Sequence, residues 1–153
     1  MRIDYALTLP AEHEPGEVMH LMSRLRRFCM DQPFEFVGPI RNRLPAPKDR
    51  SKVFDLRPNH VVGFWCLVRP NSVLDLALYR FPMFKRTVIP WAHEAFVTLD
   101  SEDPLYTTRH AAIINTLEEA ARLGLGVDAE DPCGFQRHHS RIRLAKLRRI
   151  MDI

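Results

Sequence analysis

The sequence predicts one α+β domain over residues 1–153, a two-layer sandwich with a mixed or mostly antiparallel sheet of four to five strands and two to three helices. Three observations lead there. Ile3, Tyr5, Leu7 and Leu9 alternate with Arg2, Asp4, Ala6 and Thr8, the period of two that marks a half-buried strand. Val18, Leu21, Met22, Leu25, Phe28 and Cys29 then recur at helical spacing. Two apolar runs, Val61 to Val68 and Leu74 to Leu78, are separated by the turn residues Arg69, Pro70, Asn71 and Ser72. Strands mixed with helices, one central hairpin and few β-α-β crossovers point to α+β. A ferredoxin-like or related split β-α-β topology is the first expectation.

Each element has its own justification. Pro10 stops the first strand, and Pro15 sits where a first helical turn tolerates it. Arg24 and Arg27 fall toward the end of that helix, as the dipole prefers. Phe34 to Ile40 is a shorter strand, weakened by Gly38 and Pro39. Arg41 to Pro58 contains three prolines and no sustained period, so it reads as a long loop, a length usually kept for function. The continuous run 61–68 is a central strand buried on both faces, and 74–78 returns beside it. Thr87 to Asp100 is ambiguous, extended at Val88 and Ile89 and either strand or helix beyond. Asp103 as N-cap and Pro104 as first residue open a second helix, whose face is His110, Ile113, Ile114, Leu117, Ala120 and Ala121. Gly124 is its stop, and Val127 to Glu130 a short last strand. The tail 137–153 forms an amphipathic helix with Leu144, Leu147, Ile150 and Met151 on one side.

Composition bounds the class. The chain has 153 residues, 46% apolar and 27% charged, as an ordinary globular domain does. No apolar run reaches the length of a membrane span, and the first residues lack a secretory h-region, so a cytoplasmic protein is expected. Three cysteines at unpatterned spacing read as reduced thiols. Eighteen of the 22 basic residues are Arg; the usage of a GC-rich bacterial genome is the plainer reason, and phosphate or carboxylate recognition, which Arg serves better than Lys, the sharper one.

Charge is segregated. Gly134 to Ile153 carries +5 and Arg41 to Pro58 carries +4, in a chain of net +3. Segregation of this kind is the footprint of an anionic partner. The binding candidates are Arg41, Arg43, Arg50 and Arg57 in the first segment and Arg137, Arg141, Arg143 and Arg148 in the second. The leading reading is a binding or regulatory protein that meets an acidic protein partner, or a second copy, through the basic C-terminal helix. The alternative is nucleic acid, gripped at its phosphates by both segments. The blander reading pairs these arginines with Glu118, Glu119, Asp128 and Glu130.

Catalytic and metal motifs are sparse. No P-loop is present, and no cofactor is expected. Gly124 to Gly126 follows a helix instead of opening one, the wrong side for a phosphate. Cys133, His138 and His139 lie close together in sequence and are the metal candidates, without zinc-site spacing. For acid/base work the candidates are His93 with Glu94, beside Trp91, and for nucleophilic catalysis Cys133 with His138 or His139. His60 and the pair Tyr106 and His110 are lesser candidates. Cys29 and Cys66 lie on apolar faces, where burial keeps a thiol inert. A small enzyme with a His/Cys pocket is therefore the second alternative.

Overall fold

The computed structural model describes residues 1–43, 58–82 and 86–130. Its first strand, β1 (Arg2–Leu9), buries the odd-numbered set Ile3, Tyr5, Leu7 and Leu9. Helix α1 (Pro15–Met30) starts on Pro15, and the Glu14 N–H donates to Glu17 Oε1 at 3.1 Å, half of a capping box. Val18, Met22, Leu25 and Cys29, one stripe at helical spacing, are its buried residues.

The region around Gly38 divides into two short strands, β2 (Phe36–Val37) and β3 (Arg41–Arg43). Both pair with β4 (His60–Arg69), side by side along the same edge. Gly38 makes this possible, because a Cβ there would lie 2.8 Å from the Trp65 ring. Strands β4 and β5 (Ser72–Arg80) form the expected hairpin, with Asn71 in the left-handed region at φ 63°. At Gly63 the hairpin is tight: a Cβ would stand 2.3 Å from both the Ala77 Cα and the Leu76 carbonyl oxygen.

The ambiguous stretch resolves as strand β6 (Trp91–Thr98), all eight residues of which pair with β1. Helix α2 (Tyr106–Arg122) begins later than expected, with Leu105 as N-cap. Asp103 is displaced one turn-position outward, where its Oδ1 accepts the Leu105 N–H at 2.8 Å. Gly124, at φ 110°, ends the helix as expected, and β7 (Gly126–Glu130) follows.

All strand pairs are antiparallel, in the order β2-β4-β5-β6-β1-β7 with β3 also on β4. This corrects the expected sheet: seven strands and two helices among the described residues, and no ferredoxin-like arrangement of four or five strands. The reason is local. The strand expected over 34–40 shortens to β2 before Gly38 and Pro39, the start of the expected loop adds β3 on the same edge, and the ambiguous segment is extended because β1 offers it a full-length partner.

Helices α1 and α2 share one apolar core with one face of the sheet. Val18, Met22, Leu25, Ile113 and Leu117 cluster with Ile3, Tyr5 and Leu7 of β1, Phe64 of β4 and Leu76 of β5. The opposite face carries the other parity of every strand. It has no helical layer among the described residues, though Phe81 packs on buried Ala6 and Ala92 there, and is called the open face below.

Candidate functional site

The site is built where two strands fail to zip. Among the described residues β5 and β6 share a single ladder pair, Tyr79 with Ala92. Farther along, the Asp75 backbone has no β6 partner and takes the Tyr5 hydroxyl instead. Tyr5 Oη donates to the Asp75 carbonyl and accepts the Asp75 N–H, both at 2.8 Å. A side chain from β1 thus crosses β6, over the small Ala95 that is its ladder partner, and closes the ladder of the next strand. Burial, and behind it the Asp75 charge, push the Tyr5 hydroxyl pKa well above its ordinary value, so the phenol stays a neutral donor.

Asp75 is the hub of this seam. Arg41 Nη2 lies 3.1 Å from its Oδ1, and His93 Nε2 lies 3.3 Å from its Oδ2. The first is an aligned hydrogen bond. The second lacks hydrogen-bond alignment and is an electrostatic contact only. The Tyr79 ring sits 4.8 Å from the His93 ring, and its hydroxyl is raised by burial and then by Asp75, with Arg41 opposing. By register His93 belongs to the helix-covered face, opposite Leu7, whereas Asp75 pairs with Trp65 on the open face. The contact between them therefore passes through the plane of the sheet, which a closed ladder forbids. Arg41 reaches Asp75 across Gly63, its own ladder partner, where no side chain stands in the way.

Around the hub the open face is aromatic. Phe36 and Trp65 meet at 5.4 Å between ring centroids, and the Arg2 guanidinium lies 4.1 Å over the Phe96 ring. Phe36 and Phe96 are each 51% exposed. Charge on the face runs from Arg41 and Arg43 on β3 at one side to Asp4, buried Asp128 and Glu130 on β1 and β7 at the other, where Arg2 pairs with Asp4.

Of the expected site residues, His93 joins this cluster. Glu94, its chain neighbour, points by alternation to the open face opposite Ala6. Arg41 and Arg43, expected in a loop, stand on a strand, and Arg41 is engaged with Asp75. Arg50, Arg57, Arg137, Arg141, Arg143, Arg148, Cys133, His138 and His139 lie outside the described residues, as does the tail helix 137–153. Cys29 and Cys66 are fully buried in the core. A side-chain hydrogen bond with Cys29, then burial, push the Cys66 thiol far above the ordinary range. His60 forms a close hydrogen-bonded contact with Asn42 and an edge contact with Trp91 at 6.0 Å. Tyr106 and His110 stack at 6.0 Å on α2.

Asp75, Tyr5, Tyr79 and Trp65 escaped the sequence reading. Each obeys the alternation of its strand, so nothing in the pattern distinguishes a hub from a solvated or core position. Elsewhere, Arg24, Arg27 and Arg122 line a shallow cavity of about 270 Å³ with Asp31 and Glu119. It lies at the C-terminal ends of α1 and α2, where basic side chains offset the helix dipoles. Among the described residues no group of three or more His, Cys, Asp or Glu could hold a metal ion, and no helix is long and apolar enough to cross a membrane. Comparison with protein families, curated proteins and solved structures finds no match to this chain.

Proposed function

We propose that the protein is a binding module that pairs with a second copy of itself through the open face of its sheet. One observation carries the reading: Phe36, Val73 and Phe96 are exposed together on the face that α1 and α2 leave uncovered, beside Trp65. Aromatic residues and Arg are what interface cores concentrate, and a grouped apolar patch marks an interaction surface. Charge favours a second copy as the occupant. Counting outward from the seam, β3 lies beyond β5 and β4, and β7 lies beyond β6 and β1. A two-fold axis along the seam therefore sets β3 of one copy, with Arg41 and Arg43, over β7 of the other, with Asp128 and Glu130, the self-complementarity an isologous interface needs. Two antiparallel sheets stack face to face at about 10 Å, with aromatic side chains filling the gap.

Light scattering across micromolar to submillimolar concentrations tests this. The full chain should approach twice its 17.8 kDa, and Phe96→Asp should remain monomeric with an unchanged circular dichroism spectrum. A mass of 17.8 kDa throughout sinks the reading.

A second reading has its own observation. The Phe36 and Trp65 rings stand beside the β3 arginines, the pairing of stacking platform and positive charge that single-stranded nucleic acid uses. Filter binding of a single strand would then weaken steeply with salt, and Trp65→Ala would abolish it.

A further inference from the structure

We propose that the β5–β6 seam is a proton-operated catch in which charged His93 clamps Asp75, closes the seam and sets the open face for pairing. The last step rests on the dimer reading above; the catch itself does not. Its parts are geometric. Asp75 already gives one carboxylate oxygen to Arg41, and the other faces His93 Nε2 at 3.3 Å without an aligned hydrogen bond. A neutral imidazole in this place gains little from Asp75, whereas an imidazolium gains a full charge pair with a carboxylate whose backbone Tyr5 holds fixed.

Among the described residues the groups facing His93 are few. Asp75 and Tyr79 approach from β5, Arg41 stands behind Asp75 on β3, Tyr5 reaches the same point from β1, and Glu94 is its neighbour on β6. Imidazole is the one side-chain type among them whose ordinary charge change falls between pH 5 and 8. Arg41 orders the carboxylate from the far side through its aligned bond to Oδ1. Between the Tyr79–Ala92 rung and the Ser72 hydroxyl on the Thr98 carbonyl, the seam is spanned here by side chains and not by ladder bonds, so the clamp has something to move. In a zipped sheet the same pair would change only a surface charge.

The sign follows from which form is held. A clamp on the imidazolium is present in acid and is lost as pH rises through the imidazole range. The opened seam frees the Asp75 N–H from Tyr5 Oη, and that amide reports the catch directly.

Hydrogen exchange of the full chain, corrected for intrinsic chemistry, is the test. At pH 5.5 the Asp75 amide should exchange about three- to fivefold more slowly than at pH 7.5, the worth of a part-exposed ion pair. In His93→Gln and in Asp75→Asn the ratio should fall to one. A wild-type ratio of one, or a ratio preserved in His93→Gln, overturns the catch. The dimer is read separately by light scattering at the same two pH values. Tighter association of wild type in acid, lost in His93→Gln, supports the coupling. A monomer at both values sinks the dimer reading, and the exchange result still decides the catch.

Discussion

The Tyr5 hydroxyl takes both backbone hydrogen-bonding groups of Asp75, 70 residues away in sequence, and does the work of a missing ladder rung. A backbone N–H and C=O left dry in a sheet interior are costly, so a side chain that satisfies both at once is a structural necessity.

Tyr5→Phe removes that rung and leaves the ring in place. Two polar groups then lose their partner, and the chain should lose about 1–3 kcal/mol in urea unfolding. A loss of a few tenths would mean that water replaces the hydroxyl without penalty.

The two glycines of the β2-β4-β5 region should differ in tolerance. At Gly63 a new methyl meets backbone on the partner strand at 2.3 Å, so Gly63→Ala should destabilise by about 2 kcal/mol or more. At Gly38 the obstacle is the Trp65 ring at 2.8 Å, part of a side chain that can shift. Gly38→Ala should therefore cost less, and the order of the two urea midpoints checks the argument.

His60 should give the stability curve an acid slope. Burial, and after it the nearby Arg80, lower its pKa from the ordinary imidazole value. The folded chain then binds fewer protons than the unfolded one, so the contribution is full above about pH 6.5 and is lost as pH falls toward the lowered value. The catch proposed at His93 would act in the same range, so His60 is read with it removed. Urea midpoints measured in a His93→Gln background should fall from pH 7.5 to 5.5, and adding His60→Gln should flatten that fall.

Cys29 and Cys66 should be silent toward thiol reagents. Both are fully buried, and Cys66 is held far from the thiolate form by its hydrogen bond with Cys29 and by burial. Peptide mapping after alkylation of the native chain should find neither modified, and both modified in denaturant. Native-state labelling of Cys66 would show that α1 lifts from β4.

Much of the fold was legible in the sequence, because each legible piece depends on local periodicity. The odd residues of β1, the stripe Val18, Met22, Leu25 and Cys29, the β4–β5 hairpin and the Gly124 stop all follow from it. The early end of β2 at Gly38 was visible only as a weakness, β3 lay in a segment read as loop, and Trp91 to Thr98 became a strand because eight residues of β1 were there to pair with it. Sequence alternation states which residues share a face of one strand. It does not state which strand lies alongside, so the strand count and the ferredoxin-like topology went astray.

The site sits at the far end of that divide. His93 was singled out from its type and its neighbours, while Asp75 looked like one more polar residue on an alternating strand. Sequence alone settled that this chain folds as α+β with an amphipathic first helix and a central hairpin. It also settled that His93 lies on the same segment as Trp91 and Glu94. Tertiary structure alone decided that β5 and β6 part, that Tyr5 bridges the gap, and that Arg41, Asp75 and His93 meet there. The physical reason is range: periodicity encodes the burial of each element on its own, whereas a gap between two strands is the joint outcome of pairings set 13 to 70 residues apart.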